Sequence, residues 1–125
     1  MKKLILKNAE IYKEEEILYN GDLLIEEDKI SKLDRNISEI NAKVIDLKGK
    51  KVVPGFIDIH IHGGVGYDTM DATYEALNNI SVHLAKHGVT SFCPTTMTMD
   101  IPDILRALDN VKETMKKGVE GAEVL

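Results

Sequence analysis

The order of apolar segments in the second part of the sequence limits the folds open to this chain more than any other feature. After Pro54-Gly55, short strand-like runs alternate with longer helical ones. The segments are, in order, FIDIHI, ATYEALNNISVHLAKHG, VTSFCPTT, IPDILRALDNVKETMKKG and AEVL. A β-α-β-α-β order with short links predicts parallel strands, hence a doubly wound sheet or a (β/α)8 TIM-type barrel. We expect residues 54–125 to form the first units of such an α/β fold, truncated in the third strand at Leu125.

Capping signals predict where the two helices begin and end. Asp71 is expected to cap the first helix and Gly88 to follow its last turn. Asp100 is expected to cap the second helix, with Pro102 in its first turn. Helical spacing predicts a core-facing stripe on each helix. The stripes are Thr73, Leu77, Ile80 and Leu84 on the first helix, and Leu105, Leu108, Val111 and Met115 on the second.

The first part of the chain has the shorter period of β-strands. Apolar runs separated by charged turns predict the strands KLILKNAEIY, EEILYN, DLLIEED, KISKLD and KVIDLKGKKVV. Asn20-Gly21 and Asp28-Lys29 lie between such runs and are typical of hairpin turns. We therefore expect residues 1–53 to be part of a small all-β domain.

Composition and charge exclude several classes of protein. Hydrophobic residues make up 43% of the chain and charged residues 30%, which favours a globular domain with an aliphatic core. The net charge of −5 lies in the part after residue 52 and leaves no basic face for nucleic acid. The apolar run before Lys7 is too short for a signal peptide or a membrane span. With its single cysteine, Cys93, the chain is expected in the cytoplasm, with no membrane partner.

Two histidines mark the end of the first strand of the α/β part. Residues two apart on a strand point to the same side, so Asp58, His60 and His62 are expected to share one face. Two imidazole nitrogens at this spacing can bind one divalent ion, while Asp58 either orients a ring or is a structural strand residue. An isolated H-x-H pair is ambiguous. Its position at a strand end, before a glycine loop, favours a metal site.

Three glycines follow the histidine pair. Gly63, Gly64 and Gly66 permit close backbone approach and positive φ angles, so GGVGYD is either a ligand-facing loop or a tight turn. The phosphate-binding pattern G-x-G-x-x-G is excluded because Thr69 stands where a glycine is needed. At the end of the second strand, the pair Thr95-Thr96 is expected at the same end of the sheet. These threonines either line the pocket or cap a turn.

Other reactive side chains have simpler explanations. His83 and His87 lie four apart on the first helix and imitate a metal-binding pair, but no carboxylate at E-x-x-H spacing accompanies them. His87 near the helix C-terminus is explained by the helix dipole. Cys93 would need a nearby histidine to act as a nucleophile, and a free cysteine in a strand is more often part of the core. We therefore assign no function to these three residues.

The sequence resembles the amidohydrolase superfamily. The matching segments are VVPGFIDIHIHGG, VGYDTMD and HGVTSFCPTT, preceded by a β unit. The PGFID-x-H-x-H part is shared with dihydroorotases, hydantoinases and many deaminases. The continuation GG-x-G-Y-D-T-M-D together with GVTSF-x-PTT is similar to the N-acetylglucosamine-6-phosphate deacetylases. In dihydroorotase-like enzymes an arginine usually follows the second histidine, and Gly63-Gly64 stands here instead.

The resemblance implies a (β/α)8 barrel flanked by a β-sandwich, and a hydrolase that converts N-acetylglucosamine 6-phosphate to glucosamine 6-phosphate and acetate. It implies a divalent metal cofactor (Zn, Fe or Mn) bound by His60 and His62. The residues expected to bind the amino sugar phosphate are Gly63, Gly64, Thr95 and Thr96. The catalytic residues and remaining ligands are expected beyond Leu125, so the 125-residue chain alone is expected to be inactive. A homodimer is expected for the full-length enzyme.

Two alternatives remain open. One is a non-catalytic β-domain that binds a partner or a stray metal ion, with the histidine pair as a vestige. The other is a different amidohydrolase that acts on a cyclic amide. The non-catalytic domain would show no turnover of any substrate, whereas the other amidohydrolase would hydrolyse a cyclic amide instead of the amino sugar.

Overall fold

The computed structural model of the protein describes residues 3–125, which form two units divided after Pro54. The first unit contains five strands: β1 (Lys3–Tyr12), β2 (Ile17–Glu26), β3 (Lys29–Asp34), β4 (Lys43–Asp46) and β5 (Lys51–Val52). They form one sheet in the order β3-β2-β1-β4, with β5 also paired to β1. Neighbours β1, β2 and β3 are antiparallel, whereas β4 and β5 run parallel to β1. The buried side chains of this unit include Ile5, Ala9, Ile11, Leu23, Leu24 and Ile37.

The predicted hairpin at Asn20-Gly21 is wrong. Most of EEILYN and DLLIEED belongs to the single strand β2, and Asn20 (φ 51°) lies in a bulge within it. Ala9 of β1 pairs with Gly21 and Ile11 pairs with Leu18, so two steps along β1 correspond to three along β2. In this bulge Asn20 has the same left-handed backbone that Asn provides in a hairpin turn, which explains the false signal. The hairpin between β2 and β3 is confirmed, but its turn lies one residue earlier than Asp28-Lys29, at Glu27 (φ 60°) and Asp28, and Lys29 begins β3.

The segment KVIDLKGKKVV is likewise divided differently from the prediction. A turn separates β4 from β5, with Lys48 (φ 51°) and Gly49 (φ 79°) both in the left-handed region. The Gly49 N–H donates to the Asn8 carbonyl oxygen (2.7 Å). Both short strands can therefore pair with the same neighbour, β1.

The second unit confirms the predicted β-α-β-α-β order. Its elements are β6 (Phe56–Ile61), β7 (Gly63–Gly64), β8 (Tyr67–Asp68), a 3-10 turn (Thr69–Asp71), α1 (Tyr74–Lys86), β9 (Val89–Pro94), α2 (Ile101–Lys117) and β10 (Glu123–Val124). Strands β10, β9 and β6 form a parallel sheet in that order, and β7 and β8 form a small hairpin. The core of this unit contains Ile80, Leu84, Phe92, Ala122 and Val124.

The first helix begins later than predicted. Thr73, not Asp71, is the N-cap of α1, and its hydroxyl accepts a hydrogen bond from the Ala76 N–H (3.2 Å). Ala72 (φ 52°) has a left-handed backbone and ends the 3-10 turn before α1 begins. Gly88 (φ 82°) follows the helix as predicted. The stripe Leu77, Ile80 and Leu84 is buried, whereas Thr73 caps the helix instead of joining it.

The core-facing stripe predicted for the second helix is confirmed only at Val111. Its buried residues are Ala107 and Thr114, with Val111 packed against the core. Leu105, Leu108 and Met115 are about half exposed or more, at 56%, 48% and 50%. Asp100 occupies the N-cap position, but its side chain makes no capping hydrogen bond. The helix carries two apolar stripes, and the smaller side chains form the inner one.

Strand β6 is exposed, although its apolar sequence predicts a buried strand. Ile57 and Ile59 are 60% and 78% exposed, and β6 is an edge strand of the parallel sheet in the part of the chain described. Ile61 packs against the core cluster. Neither helix of residues 3–125 is long and apolar enough to cross a lipid bilayer.

Candidate metal centre

The two predicted histidine ligands lie side by side where β6 ends. His60 is the penultimate residue of β6, and His62 is the first residue after the strand. Their Nε2 atoms are 3.3 Å apart, and the ring centroids are 5.0 Å apart with the planes at 86°. His60 is exposed and His62 half-buried. The period-two argument therefore placed both rings on one side correctly.

One ring has a second contact that sets its tautomer. His62 Nδ1 lies 3.0 Å from the carbonyl oxygen of Thr95. A carbonyl oxygen only accepts hydrogen bonds, so Nδ1 carries the proton and donates. In the neutral ring, Nε2 then has a free lone pair directed to the side of His60. This is the arrangement in which metal-bound histidines are usually held.

The spacing of the two Nε2 atoms suits a single metal ion. Nitrogen ligands lie about 2.0–2.1 Å from a tetrahedral zinc ion, and two such ligands are separated by about 3.3 Å. The observed separation is 3.3 Å. The pair thus offers two convergent donors without rearrangement of the backbone, and the chemistry of imidazole suits Zn, Fe and related metals.

The described residues supply only part of a metal shell. Within residues 3–125, no group of three His, Cys, Asp or Glu side chains is placed to hold a metal ion. Asp58, which was expected either to orient a ring or to be a structural strand residue, accepts from the backbone N–H of His60 through Oδ1 (3.1 Å). Its contact is with the strand backbone, so the structural alternative describes it.

The two predicted glycines of the substrate loop differ in their surroundings. Gly63 pairs with Asp68 across the β7–β8 hairpin, and a Cβ at this position would overlap the Tyr67 carbonyl oxygen. A Cβ on Gly64 would meet only His83 Cδ2, at 3.9 Å. The tight-turn alternative therefore explains Gly63. At Gly64 a Cβ atom would fit without a clash, so packing does not explain why this residue is a glycine.

The hairpin turn itself is formed by Val65 (φ 50°) and Gly66 (φ 84°), both in the left-handed region. Positive φ at both central residues is the signature of a type I′ turn. A β-branched residue seldom adopts this conformation, and Val65 is the exposed tip of the hairpin. Of the two alternatives predicted for GGVGYD, the structure shows the tight turn, formed by two residues.

Thr95 and Thr96 lie just after β9, at the same end of the sheet as the histidine pair. The Thr95 N–H donates to the Ile61 carbonyl oxygen (2.8 Å). Its hydroxyl donates to the Cys93 carbonyl oxygen (3.2 Å). Thr95 thus contacts the histidine pair through its backbone carbonyl and not through its side chain. No feature of the sequence predicts this contact. Thr96 is half-buried.

The residues without an assigned function have ordinary contacts. His87 donates through Nδ1 to the His83 carbonyl oxygen (2.9 Å) on the last turn of α1. The two rings are tilted against each other with centroids 4.5 Å apart. Cys93 is half-buried in β9.

Tyr67, on strand β8 of the hairpin, has a raised pKa. The Glu75 carboxylate raises the pKa of the Tyr67 phenol, mainly through its negative charge and then through the hydrogen bond from the phenol to Oε1 (3.3 Å). Tyr67 and Glu75 lie on β8 and α1, so this contact joins the hairpin to the helix.

Comparison with known proteins places these features in a family. The family model described as "Amidohydrolase family" matches residues 51–124. An N-acetylglucosamine-6-phosphate deacetylase of Bacillus subtilis is 39% identical over 127 residues, which cover 98% of this chain and 32% of the relative. One of the same name from Vibrio furnissii is 41% identical over 96 residues, covering 77% of this chain and 24% of the relative. The chain therefore spans about a quarter to a third of the length of these curated relatives.

A solved structure agrees with the sequence relatives. The crystal structure of an N-acetylglucosamine-6-phosphate deacetylase from Pasteurella multocida superposes with a TM-score of 0.87 at 28% identity. The alignment covers 96% of this chain and 32% of the other. The likeness includes both units of the chain, so it is not limited to the strand that carries the histidines.

Proposed function

The chain belongs to the amidohydrolase family, and on this premise we propose that it supplies the first metal-ligand strand of an N-acetylglucosamine-6-phosphate deacetylase. The observation that carries the proposal is the histidine pair. His60 and His62 present their Nε2 atoms 3.3 Å apart, and Thr95 holds one ring in the tautomer that a metal requires. Relatives with this chain's sequence pattern carry the name of that enzyme.

In this proposal His60 and His62 hold a divalent ion, with Zn, Fe and Mn as the candidates. Such an ion polarises the acetamide carbonyl of the substrate and lowers the pKa of a water molecule. The chain's own contribution is to place and orient the two imidazoles. Two nitrogens are half of a four-coordinate shell, so the further ligands and the general acid/base are expected from sequence beyond Leu125.

The substrate contacts remain part of the proposal. Gly64 has free space beside its backbone, which suits close approach by a sugar. Thr95 and Thr96 lie at the same end of the sheet as the histidine pair and are proposed to line the pocket. Gly63 is proposed to act through the hairpin, since its backbone is already packed against Tyr67.

The wider architecture and setting are also proposals. The three parallel strands of the second unit are proposed as the opening of a (β/α)8 barrel, and the sheet of residues 3–54 as part of a flanking β-sandwich. A homodimer in the cytoplasm is proposed for the full-length enzyme. A single cysteine, half-buried in β9, suits a reducing compartment.

Acetate release from N-acetylglucosamine 6-phosphate tests the proposal. The 125-residue chain and a chain that continues through a complete barrel are compared at equal concentration with Zn²⁺, Fe²⁺ or Mn²⁺. We expect turnover from the longer chain alone, and its loss on His60→Ala. Metal-dependent turnover by the short chain would refute the idea that essential groups lie beyond Leu125. Activity of the longer chain on a cyclic amide, and none on this sugar, would refute the substrate.

A further inference from the structure

The backbone carbonyl of His62 has a hydrogen-bond donor of its own. The Thr69 N–H donates to it across 2.7 Å. Thr69 is 1% exposed, so this bond is shielded from water. His62 is therefore fixed twice, at its ring by Thr95 and at its main chain by Thr69.

The Thr69 N–H is presented by the hairpin and the 3-10 turn that follow His62. Gly63 pairs with Asp68, and Thr69 is the first residue of the turn. If Asp68 rotated or the turn opened, the Thr69 N–H would leave the His62 carbonyl. The question is what holds a three-residue turn in place, since a helical turn this short has little stability of its own.

Two aspartates hold the turn by reciprocal hydrogen bonds. Asp68 accepts through Oδ1 from the Met70 N–H (2.8 Å). Asp71 accepts through Oδ2 from the Asp68 N–H (2.8 Å). Together they form a capping box around the turn. The Asp68 carboxylate thus accepts from a backbone N–H of the turn, and the Asp71 carboxylate accepts from the backbone N–H of the N-cap residue.

We propose that Asp68 and Asp71 are positioning residues of the metal site. They clamp the 3-10 turn, the turn holds the Thr69 N–H on the His62 carbonyl, and His62 is thereby held with its Nε2 atom beside that of His60. Neither aspartate is a metal ligand in this role. The inference rests on the proposed function in so far as the ion is bound by the two histidines.

Zinc affinity of the full-length protein, measured by competition titration, tests the clamp. Outer contacts that orient metal ligands typically contribute 10–100-fold to affinity. Asp71→Ala removes the acceptor for the Asp68 N–H and is expected to weaken zinc binding about tenfold. Asp71→Asn keeps an oxygen acceptor and is expected to restore most of the affinity. Asp100→Ala is the matched control, because Asp100 also precedes a helix but makes no capping hydrogen bond.

Hydrogen exchange of the Thr69 amide in the metal-free protein gives a readout that does not depend on metal. We expect Asp71→Ala to accelerate this exchange at least about tenfold relative to Asp71→Asn and Asp100→Ala, because the shielded N–H is released. Unchanged exchange would overturn the clamp, even if the wild type bound no zinc and the proposed function itself failed. Faster exchange with unchanged zinc affinity would show a structural role only and would overturn the positioning role.

Discussion

The Nδ1–H of His62 donates a hydrogen bond to the carbonyl oxygen of Thr95, and this places the acceptor nitrogen of His62 beside His60. Since Nε2 of a neutral His62 is then an acceptor, the 3.3 Å contact between the rings is a hydrogen bond in the tautomer of His60 that carries its proton on Nε2. If both Nε2 atoms held one metal ion, His60 would be in the other neutral tautomer, with its proton on Nδ1.

The first prediction concerns metal content. The double variant His60→Ala/His62→Ala of the full-length protein is expected to lose the metal that the pair helps to hold, because two of the ligand nitrogens are removed. Metal content after dialysis, measured by mass spectrometry, checks this. The control is His83→Ala/His87→Ala, whose rings form a similar pair on α1 but have no carboxylate at E-x-x-H spacing. Equal metal loss in both double variants would contradict the assignment.

The sequence predicted the placement of His60 and His62 because a strand has a fixed period of two. It also predicted the alternation of strands and helices, since each run was long enough to show its own period. The contact that orients His62 could not be predicted. It comes from the backbone carbonyl of Thr95, and every residue has such a carbonyl. Which carbonyl faces the ring depends on how β9 pairs with β6.

The errors on α2 have a different physical origin. Leu105 and Leu108 are spaced as a core-facing stripe, yet Ala107 and Thr114 are the buried residues. Hydrophobic periodicity identifies apolar stripes, but where one helix has two of them it does not predict which one faces the core. The choice depends on how closely the helix approaches its neighbours, and small side chains permit a closer approach. A single sequence does not contain that distance.

The second prediction separates the two glycines that follow His62. Gly63→Ala is expected to destabilise the protein by about 1–3 kcal/mol, because the added methyl overlaps the Tyr67 carbonyl and comes within 2.8 Å of the Asp68 Cα. Gly64→Ala is expected to change the free energy of unfolding by less than about 0.5 kcal/mol. Urea unfolding of both variants provides the measurement. Similar destabilisation in the two would show that the hairpin is not the source of the difference.

The same pair of variants tests substrate binding. If Gly64 faces the sugar, Gly64→Ala should raise the KM for N-acetylglucosamine 6-phosphate in the full-length enzyme without altering stability. Unchanged kinetics in this variant would remove Gly64 from the proposed pocket, while leaving the metal assignment unaffected.

The third prediction concerns pH. Glu75 raises the pKa of Tyr67 because its negative charge disfavours the phenolate, and its hydrogen bond favours the neutral phenol. A raised folded-state pKa gives a stabilising contribution that is present at neutral pH and is lost as the pH rises through the folded-state pKa. We expect Glu75→Gln to lower the pKa of Tyr67, as followed by NMR titration of the tyrosine rings. Tyr67→Phe identifies the signal, and a pKa unaffected by Glu75→Gln would contradict the assignment.

The fourth prediction concerns the junction between α1 and the segment leading into β10. Ser81 is fully buried; its hydroxyl donates to the Ala122 carbonyl oxygen (2.7 Å) and accepts from the Gly121 N–H (3.1 Å). Ser81→Ala leaves both backbone groups without this partner and is expected to cost about 1–3 kcal/mol. Gly121→Ala should also destabilise, since a Cβ there would lie 2.6 Å from the Val82 nitrogen and overlap the Ser81 carbonyl.

The double variant distinguishes the two mechanisms. The methyl added at Gly121 meets backbone atoms of Ser81, not its hydroxyl, so removing the hydroxyl creates no space for it. Ser81→Ala is therefore expected not to rescue Gly121→Ala, and the double variant should be no more stable than either single variant. Urea unfolding of the three variants and the wild type forms the required cycle. If the double variant were more stable than Gly121→Ala, the Ser81 side chain would be the obstacle, and the close backbone approach of α1 to Gly121 would not be what requires a glycine.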